Sequence, residues 1–406
     1  MPIKMPIDPI ISQAATILNN VVHQATGQTA LAPITDTQSW ISVAQTLVKN
    51  GYDPALNALT QMWGRTIFSI RDYRSKLRGM DMDAERWGNA IRKVSPVDAD
   101  VEDDQRFTYP MGYDATQDPA NGNGKSVDHW TIHKPDVQQT VFYGQSVFQD
   151  VITIFKDQLD TAFRGPEEFV RFNAMVMQNR SNKLEQYEEN GRRLLLANMI
   201  AAINAEGSAT RVRHLLTEYN TATGLSLTRE DVLKPENYAP FVRWVYAELS
   251  TLARLMSNRS NMFQTVIGGK VINRHTPADQ LMVYISGKHL DQINSMAKAT
   301  TYHDSYLENA NWEGVDYWQS IQDPTSVNLA PTYVGAAGTP ITGTAQSVTN
   351  VFGIMFDRDA AGMTRVNQWS ATTPLNVLGG YWNDAFHVNH RTRFDMTEKA
   401  VLLLLD

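Results

Sequence analysis

The sequence predicts an α+β chain with an extended hairpin, one very long helix and a set of returning C-terminal strands. Three observations carry that expectation. An unbroken helical stretch runs from Pro166 to Glu206, alternating strand patterns flank a polar tip between Val97 and Pro135, and apolar runs close the chain from Val351 to Leu405.

Taken in order, residues 1–62 read as an N-terminal arm with short helices, around Pro9–Ala25 and Thr37–Lys49. Thr35 and Asp36 are candidate caps for the second, and Pro33, Gly51 and Pro54 punctuate the arm. Residues 63–96 form a connector with Trp63-Gly64 and the apolar Ile67, Phe68 and Ile70. Its basic patch, Arg71, Arg74, Lys76 and Arg78, reads as a partner surface or a solvated face.

Residues 97–135 read as an extended hairpin loop: Phe107, Tyr109 and Met111 alternate before the tip, Trp130 and Ile132 after it. A hairpin this polar buries too little apolar surface to stand alone, so a neighbouring subunit is its expected support.

Gly165-Pro166-Glu167-Glu168 is a helix start with proline at the first helical position and acids in the first turn. A continuous helix to Glu206 would be about 60 Å long at 1.5 Å per residue. Phe169, Phe172, Val176, Leu184, Tyr187, Leu194, Leu195, Met199 and Ile203 mark an apolar face loosely, with Arg180, Lys183, Glu185, Arg192 and Arg193 on the remainder. The other reading is two helices jointed at Gly191.

Beyond Gly207 a helix from Pro235 to about Met256, a strand Leu281–Ser286 and a helix Gly287–Lys298 suggest a compact α/β lobe. Residues 324–350, rich in Gly, Thr, Ala, Pro and Ser, read as an exposed loop or lobe boundary. Strands are expected at Val351–Phe356 and Phe386–His390, and Leu402–Leu405 as a buried strand. Of Trp312, Trp318, Trp369 and Trp382, most are expected in the core.

Composition limits the function. With 406 residues, 42% hydrophobic and 19% charged, the chain falls in the globular range and is long enough for more than one core. No stretch approaches the roughly 20 apolar residues that span a bilayer, and the start, MPIKMPIDPIIS, is no secretory signal. Without cysteine there are no disulfides, thiolate metal sites or cysteine nucleophiles. A net charge of −7 argues against clamping phosphate backbones, though not against merely confining nucleic acid.

Motifs for chemistry fall short. Asn121-Gly122-Asn123-Gly124-Lys125-Ser126 ends like a phosphate-binding loop, but Pro119 stands where its first glycine belongs. The acidic run Asp98, Asp100, Glu102, Asp103, Asp104 fails as a calcium loop at Asp103 and Tyr109, and reads as a solvated or subunit-facing stripe. His129 with His133, and His387 with His390, lack a carboxylate at metal-site spacing. No catalytic, cofactor-binding or metal residue is named, and the chain is read as a non-enzyme.

The order of parts resembles a known family, the major capsid proteins of tailed bacteriophages with the Hong Kong ninety-seven shell fold, most closely those of small short-tailed phages. The residues carrying it are Thr161-Ala162-Phe163, Glu168-Phe169, Glu185-Gln186-Tyr187-Glu188 and Arg193 through Asn198, then Phe356-Asp357-Arg358-Asp359-Ala360, Gly380-Tyr381-Trp382-Asn383 and Arg393-Phe394. Trp87-Gly88 and Leu290 through Met296 match more weakly, and residues 1–62 match nothing firmly.

The resemblance implies a peripheral lobe with a spine helix at 136–207 and 345–406, and an axial lobe at 208–344. It implies self-assembly as pentamers and hexamers into an icosahedral-type head shell, made in the bacterial host cytoplasm and enclosing double-stranded DNA that is confined without specific binding. A portal protein and a separate scaffolding protein are the other expected partners, with no cofactor. Some members join a loop lysine to a neighbour's asparagine; Lys125 lies at the hairpin tip, but such a cross-link is not expected here. Alternatives are a nanocompartment shell, a minor virion protein or, remotely, a cytoplasmic enzyme.

Overall fold

A computed structural model describes residues 37–49, 75–82, 90–98, 136–143, 146–158, 166–294 and 310–406, with Trp130 and scattered positions between 15 and 34. The hairpin tip, the 121–126 loop, His129 and His133, Arg71 and Arg74, and the cap candidates Thr35 and Asp36 lie outside these residues.

In the arm, helix α1 spans Thr37–Lys49 and buries Trp40, Val43 and Ala44, the three-and-four spacing of one helix face. Strands β1 (Ala90–Pro96) and β2 (Val137–Tyr143) form an antiparallel two-stranded ribbon, paired from Ala90↔Tyr143 to Pro96↔Val137. The described ladder thus lies just outside the 97–135 range. Strand β3 (Ser146–Phe155) follows.

Helix α2 runs unbroken for 41 residues, Pro166–Glu206. Gly191 is therefore no joint. A Cβ there would lie 3.1 Å from Met363 Sδ, so glycine permits close approach of a strand. The helix stops at Gly207, whose φ of +64° suits glycine and whose N–H donates back to Ile203 and Asn204 carbonyls.

The next elements are β4 (Val212–His214), α3 (Leu215–Thr223), α4 (Arg229–Val232), α5 (Pro235–Ser257), β5 (Leu281–Ser286) and α6 (Gly287–Gln292). Thr228 and Asp231 form a reciprocal capping box on α4. Helix α6 covers the first part of the expected Gly287–Lys298, and residues 295–298 lie outside the described set. Then come β6 (Asn311–Val315), the short β7 (Val327–Leu329), β8 (Thr332–Val334), β9 (Pro340–Thr342) and β10 (Gln346–Val348), and finally β11 (Val351–Asp357), β12 (Ala361–Thr372), β13 (Tyr381–Phe394) and β14 (Ala400–Leu404). The stretch expected as a loop at 324–350 therefore holds four short strands; antiparallel pairing of β7 with β10 and of β8 with β9 satisfies its backbone.

One five-stranded mixed sheet, ordered β4-β14-β11-β5-β6, forms the centre. Its strands read as continuous apolar runs because both faces are covered. Tyr284, Ile354, Phe356, Leu402 and Leu404 face the C-terminal half of α2, with Leu196, Met199, Ile200 and Ile203. Val283, Ile285, Met355, Val401 and Leu403 face α5, with Phe241, Val245, Leu249 and Leu252.

A boundary at 344/345 would cut through the sheet, since β11 pairs with β5 on one side and β14 on the other, and β14 pairs with β4. The C-terminal return belongs to two sheets. Strands β12 and β13 instead join β3 in a three-stranded antiparallel sheet, whose inner Phe386 and Val388 pack on Leu184 of α2. The sequence missed the split because buried runs carry no mark of which neighbour they pair with.

Candidate functional site

Helix α2 turns charge inward. Arg180, Glu185, Glu188, Glu189, Arg192 and Arg193 are each at most 5% exposed, whereas Leu194 is 64% exposed. Buried charge is costly unless paired and hydrogen-bonded, so this face must be matched group for group.

Glu185 accepts from Ser75 through the backbone N–H at 3.2 Å and the hydroxyl at 2.7 Å, and from Arg78 at 2.5 Å. Glu188 accepts from His390 Nε2 at 3.1 Å, from Arg192 at 3.2 Å and from Arg365. Arg192 grips both oxygens of Asp81, at 2.7 and 2.9 Å, and donates to Ser75 Oγ at 2.8 Å. Arg193 holds Glu189 at 2.7 Å and the Tyr317 carbonyl at 2.6 Å, its guanidinium 3.7 Å from the Tyr317 ring centre. Further along, Arg180 bridges Asp384 at 2.6 Å and Asp150 at 3.3 Å.

These pairs form a seam that stitches the connector 75–82, α2, β3, β12 and β13 together. Lys76 and Arg78, the described members of the basic patch, pair with Asp316 and Glu185 within the subunit. Leu77 sits at φ +62°, strained for leucine, and is held by its N–H to Glu313 and by Lys76 N–H to Glu189.

Electrostatics follow the geometry. Burial alone would raise Glu188, but hydrogen bonds from His390 and Arg365, and their charge, outweigh it and hold the carboxyl at about 2. Glu185 is likewise lowered: burial opposes, and Ser75 and Arg78 prevail. Carboxylates so fully engaged are poor general acids or bases, and the cleft they line is only about 200 Å3. What the arrangement does well is fix separate elements in one geometry.

The opposite feature is exposed apolar surface. Val147, Val151 and Phe155 point outward from β3, and Trp369 on β12 stacks on His387 with ring centres 4.0 Å apart. At the β12–β13 tip Val377 is 84% and Leu378 101% exposed, on a turn pinned by Asn376 Oδ1, which accepts from the N–H of Leu378 and Gly379. A rigid tip carrying bare apolar side chains suits contact with another surface.

Other residues singled out in the sequence separate. Of the histidines, His390 is buried on Glu188 and His387 lies under Trp369, facing opposite sides of β13. Asp98, the described part of the acidic run with Arg259 as partner, is tied inward rather than solvated. Trp318 and Trp382 are core, and Trp369 is half exposed. Glu167 and Glu168 fall in the first turn of α2. Among the described residues no group of acids and histidines is arranged to hold a metal, and no helix is long and apolar enough to cross a membrane. Sequence reasoning missed the seam; its one local signal was the four-residue spacing of Glu188 with Arg192 and Glu189 with Arg193.

Comparison with known proteins supplies the rest. A family model described as "Phi29-like phage major capsid protein" matches residues 18–404. Among solved structures, the chain is similar to one titled "Structure of head fiber and inner core protein gp22 of native bacteriophage P68", with a TM-score of 0.50 and 9% identity over 82% of this chain and 85% of that one. A structure from the capsid of Staphylococcus phage Andhra gives a TM-score of 0.48 and 10% identity over 82% of this chain and 86% of that one. One from the capsid of cyanophage P-SCSP1u gives 0.43 and 12% over 82% and 90%. No curated protein sequence matches.

Proposed function

Since the chain belongs to the family of Phi29-like phage major capsid proteins, and is thus a structural protein of the head shell, we propose how its parts divide that work. The rigid unit is the two sheets joined through α2 and its ionic seam, and the contacts between copies fall on the surfaces left apolar. The observation that carries this is the inversion on one molecule: charge inside along α2, bare valine, leucine and phenylalanine outside on β3 and the β12–β13 tip.

In this reading the axial lobe comprises the five-stranded sheet with α3 to α6, the peripheral lobe comprises the three-stranded sheet with the N-terminal half of α2, and residues 97–135 lie across a neighbouring copy. The subunits gather as pentamers and hexamers, with a separate scaffolding protein and a portal protein as partners, in the host cytoplasm. The enclosed double-stranded DNA is confined and not gripped, which the net charge of −7 supports by repulsion. The role needs no catalysis and no Lys125 cross-link.

The test is electron microscopy of the purified protein, alone and with its neighbouring virion gene products, paired with size-exclusion chromatography. Closed shells support the reading, and shells formed only with an added partner support the scaffold. A monomer under every assembly condition would refute it, and ladders of denatured particles on a gel would refute the absence of cross-links.

A further inference from the structure

The β1–β2 ribbon is held to the molecule in an unusual way. A two-stranded ribbon is marginal in isolation, and this one gains little from apolar burial: Val94, Val137 and Val141 are 53%, 50% and 39% exposed. Charged and polar groups hold it instead, all converging on the 259–274 loop and the 395–399 turn.

Lys93 on β1 donates to Asp395 at 2.5 Å and to Glu398, with both carboxylates under 10% exposed. Arg274 reaches Ser95 Oγ at 3.0 Å, Thr397 Oγ1 at 3.3 Å and Glu398 at 2.8 Å. Where the two strands part, Asp98 meets Arg259 and accepts from the Asn273 N–H at 2.5 Å, while Asp136 pairs with Lys270 at 2.7 Å. Both exits of the ribbon are therefore held from the same loop.

The platform beneath is itself fixed. Lys399, wholly buried, donates to the carbonyls of Met256 at 3.1 Å and Asn258 at 2.7 Å, at the C-terminal end of α5. Thr265 N–H and Ala400 N–H bond across to Met396 and Phe263 carbonyls, both at 2.9 Å. A ribbon whose valines stay half exposed, on a rigid base, has its angle set chiefly by these directional bonds, with the Asp98 N–H to Val271 carbonyl bond at 3.2 Å beside them.

We propose that Lys93, Arg274, Arg259 and Lys270 form a clamp that fixes the angle of the β1–β2 ribbon against the five-stranded sheet, and that this angle positions the ribbon and the segment it carries for the adjoining copy in the shell. These are positioning residues: they act through the ribbon and need not touch the neighbour. The second half of the statement rests on the proposed placement of residues 97–135; the first half does not.

The experiment uses the whole chain, whose lack of cysteine allows a clean label pair at Val141→Cys on β2 and Thr251→Cys on α5. Distances between spin labels are measured in the unassembled subunit, and shell diameters are measured by microscopy after assembly. The parent gives one narrow distance distribution. Lys93→Met loses it, Lys93→Arg restores it, and Lys270→Ala, which removes only a solvent-screened ion pair, broadens it with little change in melting temperature. Shells from Lys93→Met and Lys270→Ala are mixed in size.

Unchanged distributions in both variants overturn the clamp. Broadened distributions with uniform parent-sized shells leave the clamp standing and overturn its role in positioning neighbours. Failure of the parent to assemble even with its neighbouring virion gene products would count against the shell reading, and with it the placement of 97–135, on which the distance measurement does not depend.

Discussion

Replacing Glu188 with glutamine tests the seam directly. Glu188 is 2% exposed; burial alone would raise its carboxyl, but His390 and Arg365, which donate to it, hold it at about 2 against an ordinary 4.5. A carboxyl depressed in the folded state adds stability that is present above the unfolded value and lost as pH falls through the folded one. The shift corresponds to about 3 kcal/mol of stability at neutral pH, of which about 2 kcal/mol has gone by pH 3. Glu188→Gln removes the charge but leaves the buried Arg192 and His390 and the partly exposed Arg365 around a neutral amide, at a cost of about 3–5 kcal/mol at pH 7. The assay is urea denaturation of the unassembled subunit at pH values from 7 to 3. The parent should lose stability below pH 4.5, the variant should start lower and fall less, and the two curves should converge. Parallel curves would mean that Glu188 is not held as the geometry states.

Three further outcomes follow from the same structure. His289, whose Nδ1 lies 2.5 Å from Tyr238 Oη and whose ring stacks on Phe352, is lowered by burial to about 4. The unfolded chain binds this proton from about pH 6.5 downward and the fold refuses it until about 4, so stability falls in that window by about 3 kcal/mol; His289→Phe should flatten that part of the pH curve. Gly353→Ala should destabilise by about 1–3 kcal/mol in the denaturation midpoint, because its Cβ would lie 2.7 Å from the Tyr284 carbonyl oxygen on the paired strand; an unshifted midpoint would show that β5 yields freely. Leu378→Asp, at a fully exposed tip, should change melting by less than about 0.5 kcal/mol yet suppress shell formation in a sedimentation assay; full assembly would remove the tip from the interfaces.

Much of the architecture was legible in the sequence because it rests on local signals. Pro166 at a first helical position, glycine at 207 and no proline between them specify α2, and the run Leu281–Ser286 specifies β5 to the residue. The partners of buried strands were not legible: Val351–Asp357 and Ala400–Leu404 read as apolar from either side, and nothing local says that β14 lies between β4 and β11. The seam was hidden for a related reason. In the sequence Arg180 reads as part of the polar remainder of the helix and Glu188 shows no structural role, and only the fold brings Asp384 and His390, over 200 residues away, against them. The expected hydrophobic stripe on α2 was correct at Leu184, Leu195, Met199 and Ile203 and wrong at Leu194, which faces outward.

The place of β14 has a consequence in time. Residues 400–404 insert between β4, made nearly two hundred residues earlier, and β11, so during synthesis the central sheet has a gap where its most apolar strand belongs. Until Ala400–Leu404 emerges, Ile354 and Phe356 have an unpaired neighbour edge and the platform of α2 is incomplete. A chain lacking residues 400–404 is expected to leave β4 and β11 as open edges in the middle of the central sheet, exposed to pairing with other chains.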